Sequence, residues 1–445
     1  MDTEVLNIER VIITVLGVAF ALALLLRRLR RSRPELSLGA PLTVGYVLRL
    51  LVIAGVSVTG LGSALRGGDE LGFVSSAHQI AALSWTSGAW LPTNQQSFLH
   101  VLVFAAQLKL LGAPEGALRV TQVGISLAGA LLIATAVYDI AGAGSARLTA
   151  WLLSLELASL FFNELLHKEP LMELASGLVV FGAAKVWVKL ELKGMAIMAL
   201  GGLIALGTRQ YIGWFLIAAA VLLTLHASLR QLGGRLRSLP IIYAVAAIVV
   251  VSTPVILQAS SHESLQANLQ SSQNANTSSA AGNGGANGNN LALEKVDFST
   301  RGAIISNLPR RISDLLLRPY PWQLGNTSQA LGAVGSVIAL TIFYLLIRFA
   351  LLCRGQVLRR AGPLLYPFVF LLVPYALSVG NAGTGFRYRT HLVTIAIGAM
   401  VVLRAAVLER RKSATDLPLP GETDFDSPLL GSDRRGLRSR RVPAF

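Results

Sequence analysis

Long apolar stretches recur along the chain and are separated by short polar junctions. Most are close to the ~20 residues that an α-helix needs to cross a hydrocarbon layer of ~30 Å. They cover residues 11–26, 42–64, 119–138, 146–162, 170–188, 194–208, 211–229, 239–257, 329–350, 363–379 and 390–407. This pattern predicts an all-α fold, a polytopic transmembrane bundle of about eleven helices.

The distribution of charge gives the predicted bundle an orientation. Only 14% of the residues are charged, against roughly 25% in soluble domains. Basic residues concentrate at every second junction and in the tail, as expected for cytoplasmic loops. These are residues 27–33, 147, 189–193, 230–237, 348–360 and 404–412. We therefore expect the N-terminus outside and the C-terminus inside, and the formal charge of +16 does not require nucleic acid as a partner.

Two parts of this assignment have alternatives at the level of the sequence. Acidic residues precede the first apolar run and arginines follow it, which is the reverse of a signal peptide and predicts a retained helix. The runs 194–208 and 211–229 are short and could instead form a re-entrant hairpin. The parity of the crossings, and with it the side of each terminus, is the same in both cases.

The junctions divide the chain into five regions. Residues 1–41 hold an extra N-terminal helix and a basic cytoplasmic loop, and 42–257 hold a transmembrane region with a long outer loop at 65–118. Within that loop, Ser97–Leu111 is too short to span and predicts an interfacial or re-entrant helix. The low-complexity segment 258–300 and the tail 413–445 are expected to be disordered. Residues 301–412 carry an amphipathic outer helix and the last three transmembrane helices.

Two carboxylates, Asp69 and Glu70, stand at the start of the first long outer loop, directly after Gly67-Gly68. A carboxylate at the membrane face whose pKa is raised by burial can remove a proton from an acceptor hydroxyl. The alternative is that one of them only caps the next helix, Leu71–Leu83. The catalytic hypothesis rests on this acidic pair.

An arginine-rich segment follows the low-complexity loop. Pro309 and Pro319 predict the two ends of a short helix, which we expect to lie on the outer surface. At 100° per residue, its polar face carries Arg310, Arg311, Asp314 and Arg318 opposite an apolar arc. Guanidinium groups suit phosphate oxygens, so this face predicts recognition of a lipid phosphate. Contact with ordinary lipid headgroups is the alternative.

A second arginine pair enters the last helix. Arg387, Tyr388 and Arg389 follow the glycine-rich turn Gly380–Gly385, where the backbone can approach a ligand closely. The alternative is that the glycines only form a turn and that Tyr388 is an interfacial anchor. The two flanking arginines favour a phosphate-binding site.

Ionisable residues also cluster between the fourth and fifth apolar runs. His167, Lys168 and Glu169 lie in this outer junction, and Glu173 follows one turn into the apolar run. Charged groups inside a membrane are costly, and they mark a polar cavity, a partner or a proton path. Lys168, or Arg209 at the next outer turn, could pair with these carboxylates, either as part of a site or only to hold helices together.

Together, the acidic pair Asp69-Glu70, the amphipathic stretches, the loop Arg310–Trp322 and Arg387-Tyr388-Arg389 resemble the GT-C superfamily of polytopic membrane glycosyltransferases. The resemblance implies a polyprenyl-phosphate-linked sugar as donor and a glycan, lipid or protein as acceptor. It also implies that the outer-loop acid is the general base and that basic residues hold the leaving phosphate, in a multi-pass protein of the cell membrane. The chain departs from the superfamily in its extra first helix, its low-complexity insert and the lack of an Asp-x-Asp motif.

Physical reasoning supports the same chemistry and leaves two other functions open. A sugar that is moved outside the membrane needs a lipid-anchored phosphate as leaving group, and fixed positive charge stabilises that group. The residues specify no cofactor and no metal ligands, and the need for a divalent metal stays open. A Wzy-like polymerase using a polyprenyl-diphosphate-linked glycan would use similar arginines. A lipid-linked oligosaccharide flippase or transporter is the rival from another class, suggested by carboxylates within the membrane.

Overall fold

The computed structural model shows a helical protein. It describes residues 2–59, 68–90, 97–162, 165–231, 270, 274, 296–298, 300–324, 327–379 and 382–415. No strand occurs in these ranges. The helices are α1 (Asp2–Arg31), α2 (Gly39–Thr59), α3 (Gly68–Ala82), α4 (Phe98–Leu111), α5 (Glu115–Ser154), α6 (Leu157–Phe162), α7 (Glu169–Lys189), α8 (Leu192–Thr208), α9 (Gln210–Gln231), α10 (Arg301–Leu317), α11 (Thr327–Cys353), α12 (Val357–Ser378) and α13 (Ala382–Thr415). The all-α prediction is confirmed for this part of the chain.

Seven helical stretches among the described residues are long and apolar enough to cross a membrane. They are Asn7–Arg31, Gly39–Thr59, Glu115–Ser154, Glu169–Lys189, Gln210–Gln231, Gly332–Ser378 and Gly383–Ser413. One of them, Gly332–Ser378, covers most of α11 and all of α12, so a stretch is not always a single helix. The protein is therefore an α-helical membrane protein. The predicted crossing at 239–257 and the segments expected to be disordered, 258–300 and most of the tail, lie largely outside the described residues.

The centre of the bundle is formed by α5, α7 and α13. About four fifths of the residues in the most apolar part of each of these helices are buried (78%, 78% and 83%). Only 6% of the corresponding residues in α1 are buried. Leucine, valine and alanine dominate the central helices and fill one continuous apolar core. Helices that are apolar all round are typical of such a central position.

Contacts within Met1–Val407 define two ends of the bundle. The end that carries Glu169 and Arg209 is called the site end here, and the end that carries Trp187 and Arg359 is called the far end. The Trp187 indole donates to the Arg359 carbonyl at 3.1 Å, and Arg230 donates to the Trp187 carbonyl at 2.6 Å. Helices α7, α8, α9, α12 and the start of α13 thus alternate in direction between the two ends. The chain divides into two compact units, Met1–Val407 and Leu408–Phe445. The second unit is helical over its described residues 408–415.

A glycine reverses the direction of the chain within α5. Gly142 has φ 79° and ψ 178°, a conformation that is essentially restricted to glycine. Just before it, Asp139 pairs with Arg33 at the end of α1 (2.5 Å). Beyond it, Ser154 has returned to the level of Gly45 in α2. The two predicted helices 119–138 and 146–162 therefore correspond to the two halves of α5, with α6 as a short continuation.

Helices α5 and α7 touch through their backbones. A Cβ atom on Gly129 would lie 2.7 Å from the Glu173 carbonyl oxygen, and one on Gly177 would lie 2.6 Å from the Gly129 carbonyl oxygen. Small residues at such crossings are the usual way for membrane helices to pack closely. Because Ser126 contacts Glu173 and Gly129 contacts Gly177, the two helices run in the same direction.

Two helices outside the seven stretches test the predictions for the outer segments. Helix α4 begins after Ser97 and ends at Leu111, so the predicted short helix is confirmed. Helix α10 ends before Pro319 as expected, but its predicted start at Pro309 is wrong. Pro309 lies inside the helix, which begins at Arg301, where the Thr300 hydroxyl accepts from the Ala303 amide at 3.1 Å. A good N-cap outweighs the single backbone hydrogen bond that the proline removes.

Candidate functional site

Two breaks between helices bring opposite charges together at the site end. Glu169 is the first residue of α7, followed by Pro170, which suits the first turn because it needs no amide hydrogen there. Arg209 separates α8 from α9 in an extended conformation (φ −146°, ψ 91°). The sequence predicts an ion pair of a membrane carboxylate with either Lys168 or Arg209. In the structure Arg209 pairs with Glu169, and Lys168 donates to the Ser97 hydroxyl.

The Glu169–Arg209 ion pair is buried. The two groups are 2.5 Å apart, and the side chains are 0% and 4% exposed. A buried pair of this kind holds together only where each charge compensates the other. One oxygen of Glu169 and the Nε of Arg209 have no hydrogen-bond partner among the described residues. Both atoms are buried, so the pair leaves one acceptor and one donor unsatisfied inside the protein.

Aromatic rings surround the Arg209 guanidinium. Its carbon lies 4.5 Å from the centroid of the Tyr388 ring, a favourable cation–π contact. Tyr388 stacks on Tyr375 with centroids 4.5 Å apart. The hydroxyl of Tyr388 is 3.2 Å from that of Tyr211, whose side chain is 39% exposed. The rings therefore fix the guanidinium and connect it to the surface through Tyr211.

A histidine closes this arrangement into a ring of contacts. His391 Nε2 lies 3.2 Å from the Glu169 carbonyl oxygen, which can only accept, so Nε2 carries the proton. His391 Nδ1 then accepts from the Tyr375 hydroxyl at 2.8 Å. Glu169, Arg209, Tyr388, Tyr375 and His391 are thereby joined in one closed circuit. Four separate parts of the chain contribute to it.

Two further basic residues stand at the margin of the circuit. Arg387 is half-buried, and its contacts with His167 Nδ1 (3.4 Å) and the Thr384 hydroxyl (3.5 Å) are long for hydrogen bonds. Lys168 is also half-buried and donates to the Ser97 hydroxyl at 3.0 Å. The fold therefore brings Arg209, Arg387 and Lys168 to the same end of the bundle, and Arg209 pairs with the Glu169 carboxylate there. This concentration of positive charge suits an anion.

The predicted acidic pair gives a different picture. Glu70 is buried, and its carboxylate accepts from Arg119 at 2.6 Å. This contact ties the start of α3 to the start of α5, which favours the structural role considered for Glu70. Only the backbone of Asp69 is described, as part of α3, so its predicted catalytic role stays a prediction.

Helix α10 does not present the polar face that its sequence predicts. Arg311, Asp314 and Arg318 are buried, and Arg318 donates to Asp314 at 2.9 Å. Arg311 lies 3.7 Å from the same carboxylate, and burial lowers the pKa of Arg311 to about 10. Arg310 alone of the four polar-face residues is exposed. The prediction of an outer polar face is therefore wrong for Arg311 and Arg318, because both turn inward and share the Asp314 carboxylate.

Arg389 holds α10 against the bundle. Its guanidinium donates to the carbonyls of Leu316 and Arg318, both at 3.0 Å, and to that of Gly332 at 3.4 Å. These carbonyls belong to the C-terminal end of α10 and to α11. A cation is favourable at the end of a helix, where carbonyls lack intrahelical partners. The two predicted arginines of the last helix thus have separate environments, although they are two residues apart.

The remaining membrane carboxylates have contacts of their own. Glu173, on the same face of α7 as Glu169, accepts a hydrogen bond from Ser126. Glu156 accepts from the amides of Ala158 (3.1 Å) and Ser159 (2.5 Å) and so caps α6. Both carboxylates therefore have structural contacts at helix junctions or between helices.

The sequence pattern does not indicate Tyr211, Tyr375 or His391 as site residues. Tyr211 follows Arg209 closely and His391 follows Arg389 closely, so two of the three adjoin residues that the sequence does indicate. Tyr375 offered no signal, because it stands in the proline-containing apolar helix α12. The described residues contain no cluster of three or more His, Cys, Asp or Glu side chains that could hold a metal ion.

Comparisons with known proteins give no family for the chain. No protein-family model matches it, and neither the curated proteins nor the solved structures contain a match. The function is therefore inferred from the residues of the candidate site.

Proposed function

We propose that the protein is a membrane glycosyltransferase that moves a sugar from a polyprenyl-phosphate-linked donor to a glycan, lipid or protein acceptor. The observation that carries the proposal is the convergence of Arg209, Arg387 and Lys168 at the end of a helical membrane protein that carries Glu169. The three cations come from separate parts of the chain, so the fold concentrates positive charge at this end. A phosphate is the anion that guanidinium groups bind best.

The location of these residues supports a substrate embedded in lipid. Arg387 and Lys168 are half-buried at the ends of apolar helices, where a headgroup phosphate would lie while its chain stays in the hydrocarbon. In the proposed topology the chain crosses the cell membrane about eleven times, with the N-terminus outside and the C-terminus inside. The site end then faces outwards, where no nucleotide-activated sugar is present.

The proposed chemistry is an inverting displacement at the anomeric carbon. The acceptor hydroxyl loses its proton to a carboxylate, its oxygen bonds to the anomeric carbon, and the polyprenyl phosphate leaves with the bonding electrons. Arg387 and Arg209 would stabilise the leaving phosphate. Because Glu70 is already paired with Arg119, Asp69 is the preferred general base.

A binding and turnover experiment on Arg387 tests the proposal. Full-length protein in nanodiscs would be titrated with a polyprenyl phosphate and with the uncharged polyprenol, and assayed for transfer from a panel of radiolabelled polyprenyl-phosphate sugars. Arg387→Ala should weaken phosphate binding at least tenfold, with Arg387→Lys in between. The exposed Arg310→Ala is the matched control and should leave binding unchanged. If the wild-type protein binds the phosphate no better than the polyprenol, the proposed function is wrong.

A polymerase of the Wzy-like kind is the second candidate, and the Glu70–Arg119 pair is the observation that favours it. That pair leaves only Asp69 of the predicted acidic residues for the role of base. If Asp69→Asn keeps full turnover while Arg387→Ala abolishes it, the glycosyltransferase mechanism fails and a polymerase acting on polyprenyl-diphosphate-linked glycans is preferred.

A further inference from the structure

A pair of tryptophans forms a flat surface on the segment between α3 and α4. The indole rings of Trp85 and Trp90 stack with centroids 4.7 Å apart and planes inclined by 13°. Trp85 is 56% exposed. Neither residue lies in a stretch long and apolar enough to cross a membrane. The structure therefore presents a large aromatic face outside the hydrophobic helices.

This aromatic pair is held in place by several contacts. The Trp90 indole N–H donates to the Ser84 carbonyl at 2.8 Å. The Lys109 ammonium lies 5.5 Å from the Trp85 ring and 5.8 Å from the Trp90 ring. It donates to the carbonyls of Ala81 (2.9 Å) and Leu83. The ammonium is thus committed to the backbone and the rings, where it acts as a support.

Residues with small hydroxyl side chains flank Trp85 in the sequence. The sequence here is Ser84-Trp85-Thr86-Ser87-Gly88, and the hydroxyls of Ser84 and Thr86 are 3.2 Å apart on the exposed side. The turn is fixed by a hydrogen bond from the Ser87 amide to the Ser84 carbonyl at 3.0 Å. A segment that inserts into lipid would carry apolar neighbours around its tryptophan. Hydroxyl groups beside a flat aromatic face instead match a ligand that is apolar on one face and rich in hydroxyls at its edge.

We propose that the loop Ser84–Trp90 binds a neutral glycan by stacking a pyranose ring on Trp85. The C–H groups on one face of a pyranose carry partial positive charge, which the negative face of an indole attracts. The hydroxyls of Ser84 and Thr86 are placed to exchange hydrogen bonds with the edge of the sugar. This proposal rests on the proposed function, in which the loop would hold the acceptor glycan.

The loop is connected to the candidate site through packed side chains. Trp90 and Phe73 pack against the same apolar cluster, which contains Leu166. The Lys168 ammonium lies 5.5 Å from the Phe73 ring, and Leu166 is two residues before Lys168. A glycan on Trp85 would therefore lie on the same packed unit as the cations proposed to bind the donor phosphate.

Sugar binding can be tested without any turnover. Full-length protein in nanodiscs would be titrated with a panel of neutral oligosaccharides of glucose, mannose, galactose and arabinose, and binding followed by tryptophan fluorescence and calorimetry. At least one of them should bind the wild-type protein, and Trp85→Ala should weaken that binding by a factor of about three to ten, equivalent to about 0.7–1.4 kcal/mol. Trp85→Phe should retain most of the affinity and covers the case in which the alanine variant does not fold.

The matched control is Trp322→Ala. Trp322 is 79% exposed and also stacked, on Tyr320 at 4.9 Å, but it lacks the hydroxyl-rich turn, and its removal should leave sugar binding unchanged. If no oligosaccharide in the panel binds, or if Trp85→Ala and Trp322→Ala weaken binding equally, the proposal is wrong. Quenching of Trp85 fluorescence by brominated lipids with no protection by sugar would also contradict it and would assign the loop to the lipid interface. A protein that binds polyprenyl phosphate but no oligosaccharide would retain the proposed function and lose only this inference.

Discussion

Two groups of buried arginines near the same end of the molecule differ in what compensates their charge. Arg209 meets a carboxylate from another helix and a stack of aromatic rings, and the half-buried Arg387 stands beside it. In the second group, Arg318 meets Asp314 of its own helix, and Arg389 meets three main-chain carbonyls. The partners of the second group are all parts of α10 and α11, and both of its arginines are buried. Arg387 of the first group is half-buried beside the Glu169–Arg209 pair, so the first group is the better candidate for ligand binding.

The largest effect should follow from breaking the Glu169–Arg209 pair. Arg209→Ala leaves the Glu169 carboxylate buried without its cation, which should lower the free energy of unfolding by about 3–5 kcal/mol. Thermal and denaturant unfolding in detergent would measure it. The double variant Glu169→Leu/Arg209→Met should regain most of the loss, because it removes both charges. Equal instability of the single and double variants would show that the pair is not what holds these helices.

A somewhat smaller loss is expected at Arg389. Arg389→Ala removes the donor to the carbonyls of Leu316, Arg318 and Gly332, and we expect the free energy of unfolding to fall by about 2–4 kcal/mol, since each buried group left unpaired costs about 1–3 kcal/mol. Limited proteolysis should show early cleavage in α10. Arg387→Ala, two residues away on the same helix, is the control and should not release α10. If both variants release it, the contrast between the two arginines is wrong.

Arg387 should separate stability from ligand binding. Its replacement by alanine should change the free energy of unfolding by less than about 1 kcal/mol, because the side chain is half-buried and its contacts with His167 and Thr384 are long. The same variant should weaken binding of a polyprenyl phosphate at least tenfold, a difference of about 1.4 kcal/mol. Parallel unfolding and lipid titration of one preparation would test both statements. A large loss of stability with unchanged binding would give Arg387 the structural role of the second group.

The smallest effect is expected at Arg310. Its side chain is exposed on α10, so Arg310→Ala should change stability by less than about 0.5 kcal/mol. It should also leave polyprenyl-phosphate binding unaltered. Loss of binding in this variant would restore the outer face of α10 as a phosphate site and would weaken the comparison between the two groups.

The sequence predicted which residues belong to the site end better than it predicted their partners. The apolar runs and the Glu169-Pro170 start of α7 follow from local rules. The different environments of Arg387 and Arg389 do not follow from local rules. Residues two apart on a helix do point in roughly opposite directions, about 200° apart. Which direction meets α10 and which meets His167 is decided by tertiary packing. The burial of Arg311 and Arg318 could not be predicted either, because a one-dimensional pattern shows a polar face without showing what covers it.

The close contact of α5 and α7 helps to fix the position of the Glu169 carboxylate relative to Arg209. Gly129 and Gly177 allow the two backbones to touch at Glu173, and Glu169 stands one turn of α7 before that point. A methyl group on Gly129 would meet the Glu173 carbonyl oxygen at 2.7 Å and would force the axes of the two helices apart. The carboxylate of Glu169 would then move relative to Arg209, which is attached to a different helix junction. The alignment of an ion pair at the rim of the bundle is thus set by the absence of two side chains deeper inside.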